Sequence, residues 1–186
     1  MMKNNKRINY AGPQITEEDA EFVKSAVLDG FYENYKYHAT LLEKKISEYL
    51  GVKYVIATNS CTAALHLSVA ALGLENGVEV ITSDSSCVAS AMPIIYGGSE
   101  AVFVDVSDSD WNLDPNAIAN AITEKTKAIL VVHWNGNPAP MDKILKIAKS
   151  KNLFVIEDAA ASFGATYKGQ KVGAIGDVGC FSFQGA

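Results

Sequence analysis

Two carboxylates close an apolar run at Ile156-Glu157-Asp158, and the small residues Ala159-Ala160-Ala161 next to them leave room for another group to approach closely. An ionised carboxylate placed there needs a cationic partner or several donors, because burying it unpaired costs far more than one hydrogen bond returns. Such an acid suits a protonated heterocycle nitrogen; it equally suits an Asp capping the next turn while Glu157 faces solvent or a neighbouring base. A second chemistry-bearing stretch is Thr58-Asn59-Ser60-Cys61-Thr62, hydroxyl residues at a strand-to-helix turn. Free N–H groups, the helix dipole and the Ser60 and Thr62 hydroxyls could hold a phosphate dianion there, and the same residues also read as ordinary N-caps. Ser83-Asp84-Ser85-Ser86-Cys87-Val88-Ala89-Ser90 is another hydroxyl-rich loop opening a helix, able to line a pocket or merely to cap. Last comes Phe181-Ser182-Phe183, where strand alternation turns the serine away from both rings.

The elements that must carry these groups alternate in a regular way. Short β-branched runs at 54–57, 78–81, 101–104, 128–132 and 153–156 predict strands, with a final strand at 177–183. Helical periods cover 62–73, 88–96, 115–122 and 141–151 between them. That alternation predicts βαβ units and a parallel sheet covered on both faces, with ligands at the C-terminal ends of the strands. Two further helices precede the array: 17–28 with Thr16 as N-cap, and 40–50 stopped by Gly51. Residues 1–13 read as an arm and 14–186 as one domain, incomplete at its C-terminal end.

Composition narrows the function classes. The 186 residues are 48% hydrophobic and 20% charged with a net charge of -5, an ordinary globular balance without the basic stripe that nucleic acid requires. No run of 18 apolar residues occurs, so the expectation is a cytoplasmic protein with a small-molecule partner and no membrane span. Cys61, Cys87 and Cys180 are odd in number and widely spaced, which fits neither a disulfide framework nor a zinc site. His38 falls in a loop and His66 in a helix. His133, just after a strand, is a candidate for the rim of the site or for a structural hydrogen bond. No metal site is expected.

Taken in order, these junctions resemble the DegT/DnrJ/StrS family of sugar aminotransferases, pyridoxal-phosphate (PLP) enzymes of the aspartate aminotransferase fold. The resemblance spans residues 10–186 and includes Trp111-Asn112-Leu113-Asp114-Pro115, Val132-His133-Trp134-Asn135-Gly136 and Gly164-Ala165-Thr166-Tyr167-Lys168-Gly169. Its most specific stretch runs from Val172-Gly173 to Phe183. It implies a three-layer α/β/α large domain of fold type I with a mostly parallel sheet, the small C-terminal domain being absent from this chain. It also implies that Asp158 pairs with the pyridinium nitrogen, that Ser60, Cys61 and Thr62 hold the phosphate, and that Ser182 adds a hydroxyl. The Schiff-base lysine of the family lies five positions after that serine, so it is expected immediately after Ala186. The visible lysines Lys53, Lys127, Lys168 and Lys171 read as solvated, the last two flanking a hairpin turn.

The activity implied is transfer of an amino group from glutamate or glutamine to a nucleotide-linked 4-keto or 3-keto hexose, in a homodimer with shared sites. Alternatives are a cyclitol (inosose-type) aminotransferase, to which Gln184 after Phe183 points, a PLP-dependent dehydratase of the same family, and a non-catalytic PLP- or sugar-binding regulator. Two positions depart from the family's pattern. Cys87 stands where an aromatic residue commonly stacks on the cofactor ring, and Ala161 where Gln or Glu is common near the ring hydroxyl. The aromatic loop Phe31 to His38 replaces a glycine-bearing one and is a candidate for substrate choice.

Overall fold

A computed structural model describes residues 14–183. The arm read at 1–13, Gln184 and the position after Ala186 lie outside the described residues. Helices α1 (Glu17–Asp29) and α2 (Tyr37–Leu50) come first. Thr16 caps α1 through a reciprocal pair: its hydroxyl accepts the Asp19 N–H, and its own N–H donates to the Asp19 carboxylate. Gly51 ends α2 in the left-handed region at φ 75°. His38 lies inside α2 rather than in a loop, because the helix starts three residues earlier than its apolar period suggests.

The array continues as α3 (Cys61–Ala71), β1 (Glu79–Ser83), α4 (Val88–Tyr96), β2 (Glu100–Val104), α5 (Pro115–Ala121), β3 (Thr126–Val132), α6 (Met141–Lys151) and β4 (Phe154–Asp158). A two-residue hairpin, β5 (Thr166–Tyr167) and β6 (Gln170–Lys171), precedes β7 (Val178–Cys180). Lys168 and Gly169 form its turn, both at positive φ. The main sheet is wholly parallel in the order β2-β1-β3-β4-β7.

Alternation along each strand separates two cores. Ile81, Ile129, Val131 and Val155 face α5 and α6, meeting Ile118, Met141 and Ile144. Val80, Leu130, Ile156 and Cys180 face the other way, meeting Leu65 and Val69 of α3 and Ile94 of α4. Ala128 to Val131 of β3 are all fully buried, as a central strand covered on both faces must be. This is the expected three-layer α/β arrangement.

Two strand expectations fail. Residues 54–57 form no strand; Tyr54 is 76% and Ile56 67% exposed. Their β propensity finds no neighbouring strand among the described residues, and the Ala57 N–H bonds the Glu43 side chain instead. The strand expected over 177–183 is confined to Val178–Cys180, the residues that pair with Ile156 to Asp158.

Candidate active site

Asp158 ends β4, level with Val132 on one side and Cys180 on the other, and is only 6% exposed. It shares the sheet face of Ile156, so its carboxylate emerges beneath α3 and α4. Oδ2 accepts a 2.7 Å bond from the Ser90 hydroxyl, and Oδ1 accepts one from the Ala160 N–H at 3.2 Å. The Cys61 thiol lies 3.9 Å from Oδ1. Burial, then the nearby Asp158 charge, pushes that thiol well above the usual cysteine range, so it stays protonated and donates weakly. No basic group pairs with Asp158 among the described residues.

The carboxylate opens into a cavity of about 1070 Å³ at the C-terminal end of the sheet, lined also by Ser60, Cys61, Thr62, Cys87, Ser90 and Ser182. Ser60 is the N-cap of α3, its Oγ accepting the Ala63 N–H at 3.1 Å. The N–H groups of Cys61 and Thr62 have no acceptor among the described residues, which leaves two donors at the positive end of the helix dipole. Ser60 therefore caps the helix while leaving the Cys61 and Thr62 N–H groups without an acceptor among the described residues. Cys61 is divided between the two roles, with its N–H at this turn and its thiol toward Asp158. Cys87 is exposed at the N-cap of α4 and caps with no side-chain bond.

The rings of Phe181 and Phe183 both pack on Phe163, at 5.4 and 5.1 Å between centroids. With both neighbours held there, half-buried Ser182 lines the cavity. Two glycines allow this strand its path. A Cβ on Gly173 (φ 82°) would sit 2.0 Å from the Phe181 ring, and one on Gly179 would sit 1.9 Å from the Gly173 carbonyl oxygen. Ala161 is exposed and does not line the cavity, whereas Ala160 does. None of the described lysines lines it either; Lys168 bonds Asp142, and Lys171 donates to the Tyr49 carbonyl.

Glu157 occupies the opposite face and, of the two expectations for it, meets a neighbouring base rather than solvent. Fully buried, it accepts the N–H groups of Gly173 (2.8 Å), Ile175 (2.7 Å) and Gly176 (2.6 Å), together with a 3.0 Å bond from His133. His133 is buried too, not on the rim, and its Nδ1 accepts the Ala139 N–H at 3.0 Å. Its ring proton therefore sits on Nε2 and points at Glu157, a neutral imidazole holding a carboxylate. Burial alone would raise the Glu157 pKa; the His133 bond and the three amides outweigh it and hold the group below the ordinary range. This clasp ties β4 to the loop that delivers β7 and Ser182. Ser90 is the site residue that its own sequence position does not reveal. It closes the hydroxyl-rich stretch 83–90, but the partner that gives it meaning is 68 positions away.

The family model of the DegT/DnrJ/EryC1/StrS aminotransferase family matches residues 13–186. The GDP-perosamine synthase of Escherichia coli O157:H7 is 39% identical over 173 residues, 93% of this chain and 48% of the relative. The spore coat polysaccharide biosynthesis protein SpsC of Bacillus subtilis (strain 168) is 38% identical over 183 residues, 98% of this chain and 47% of the relative. Among solved structures, an aminotransferase from Psychrobacter cryohalolentis superposes with a TM-score of 0.88 at 38% identity, covering 92% of this chain and 44% of that one. The chain thus spans about half the length of the proteins it matches. On both sequence and fold, it belongs to the DegT/DnrJ/EryC1/StrS aminotransferase family.

Proposed function

We propose that this chain is the cofactor-holding half of a PLP-dependent aminotransferase that moves an amino group from glutamate or glutamine to a nucleotide-linked keto sugar. The observation that carries the reading is Asp158, a buried carboxylate facing a large cavity with only neutral partners around it among the described residues. The residues present fit the cofactor. A cation at Asp158 would complete its balance, and a phosphate dianion would meet the free Cys61 and Thr62 N–H groups and the N-terminus of α3.

PLP, when bound, supplies an electron sink for breaking a bond at the substrate's α-carbon. The chain's residues do the rest by position. Asp158 would hold a proton at the ring nitrogen; Ser60, Thr62 and the backbone at Cys61 would bind the phosphate, with Ser182 adding its hydroxyl. Cys87 would border the ring with less area than an aromatic side chain, and Ala161 would add no side-chain bond. The Schiff-base lysine is proposed at the position after Ala186, five after Ser182. Similarity to a GDP-perosamine synthase and to a polysaccharide biosynthesis protein supports the keto-sugar substrate.

A homodimer fits the apolar side chains that α1 leaves exposed, Phe22, Val23, Val27 and Leu28. A cytoplasmic location fits the substrate class, and no helix among the described residues is long and apolar enough to cross a membrane. The test is to assay the full-length protein against 3-keto and 4-keto hexose nucleotides and inosose-type ketones, with glutamate and glutamine as donors. Turnover of a keto sugar nucleotide is expected. Turnover confined to inososes would overturn the substrate, and none with any ketone would overturn the activity.

A further inference from the structure

We propose that Ser90 is a positioning residue for Asp158, fixing the plane of its carboxylate so that one edge meets the cationic ring nitrogen; the proposal rests on the function proposed above. The two carboxylate oxygens are held differently. Oδ1 has the Ala160 N–H at 3.2 Å and the Cys61 thiol at 3.9 Å, whereas Oδ2 has the Ser90 hydroxyl, at 2.7 Å. An ionised carboxylate only accepts, so the serine proton must point at Oδ2, and 2.7 Å is the length of a charge-assisted O–H···O bond.

Ser90 differs from Ser68, the buried serine of α3, in the charge of its partner. Ser68 turns its hydroxyl back to the Ala64 carbonyl of its own helix at 2.8 Å, the usual habit of a mid-helix serine, and lies 3.3 Å from the neutral Cys180 thiol across the interface. Ser90 instead gives its hydroxyl to a carboxylate across the interface, that of Asp158. It is 2% exposed, and the first turn of α4 behind it is closed by the bond from its own N–H to the Cys87 carbonyl, 2.9 Å. The hydroxyl is therefore presented from a rigid element. With donors fixed on both oxygens, rotation of the carboxylate about its terminal torsion, otherwise broad, is stopped.

The test uses full-length protein and pyridoxamine phosphate, which binds without a lysine linkage, with affinity read by fluorescence titration. Ser90→Ala is expected to weaken binding about tenfold or more, the scale of a hydrogen bond to a charged group. Ser90→Thr, which keeps the hydroxyl, should stay within about threefold of wild type, since its charge-assisted bond survives. In an Asp158→Asn background the Ser90→Ala effect should largely vanish, because the two residues act as one unit. Undiminished affinity in Ser90→Ala would overturn the proposal, as would an equal loss with and without the Asp158 carboxylate. Should the alanine variant not fold, Ser90→Cys carries the test: weaker binding supports the role, and wild-type affinity contradicts it. A wild-type protein that does not bind pyridoxamine phosphate would instead overturn the proposed function and leave the Ser90–Asp158 bond itself standing.

Discussion

Adjacent acids on one strand do opposite work here, because strand alternation sends Asp158 into the cavity and Glu157 into the protein. Glu157→Gln should be destabilising by about 3 kcal/mol, since either amide orientation sets an NH2 against a donor that the carboxylate accepted. Urea denaturation at neutral pH measures this, and an unchanged midpoint would refute the clasp. The pH dependence has a definite sign. With its folded pKa below the ordinary 4.5, Glu157 stabilises the fold above that value and loses this contribution as pH falls through the folded pKa. That part of the acid sensitivity should be missing from Glu157→Gln. At the N-terminus of α3, Ser60→Ala is expected to cost about 1 kcal/mol as a lost cap; if this turn holds the phosphate as proposed, Ser60→Gly should retain most of the stability yet bind pyridoxamine phosphate as weakly as the alanine variant. The acidic pair and the hydroxyl turn are legible in the sequence because each sits at a boundary between an apolar run and a stretch of small or hydroxyl residues. Which acid faces the cavity, and that His133 serves Glu157 rather than the rim, depends on strand register and on loops that no local pattern encodes.

Among the elements, β7 and its approach are the most constrained. Gly179→Ala would drive a Cβ to 1.9 Å from the Gly173 carbonyl, against backbone that cannot yield cheaply. It should cost about 3 kcal/mol or more and loosen Ser182 with it. Gly51→Ala provides the contrast, with φ 75° but open space around it, and should cost about 1 kcal/mol. Equal thermal shifts for the two variants would contradict the packing described for β7. That β1, β3 and β4 are strands of a parallel sheet is readable from Val- and Ile-rich runs separated by helical periods, whereas their order in the sheet is not. Residues 54–57 mislead because a β-branched run states only a preference. A strand also needs a neighbour, and none stands beside this run among the described residues.

At the scale of the whole molecule, the chain covers about half the length of its relatives, and its apolar surface is uneven. Phe22, Val27 and Leu28 on α1, with Tyr54 and Ile56 before α3, are exposed. Residues 14–183 produced alone should therefore bind a hydrophobic dye more strongly per chain than the full-length protein, and equal binding would show these faces to be open in both. If Asp158 and the α3 turn hold PLP for amino transfer, the glutamate half-reaction of the full-length protein, loaded with PLP and followed by absorbance, must report it. The expected result is a Schiff-base band near the visible edge that fades when glutamate is added, as 2-oxoglutarate appears. In Asp158→Asn this step should be slowed by roughly 100-fold or more. A protein that forms no band with excess PLP, or an Asp158→Asn variant that keeps the wild-type rate, would contradict this assignment.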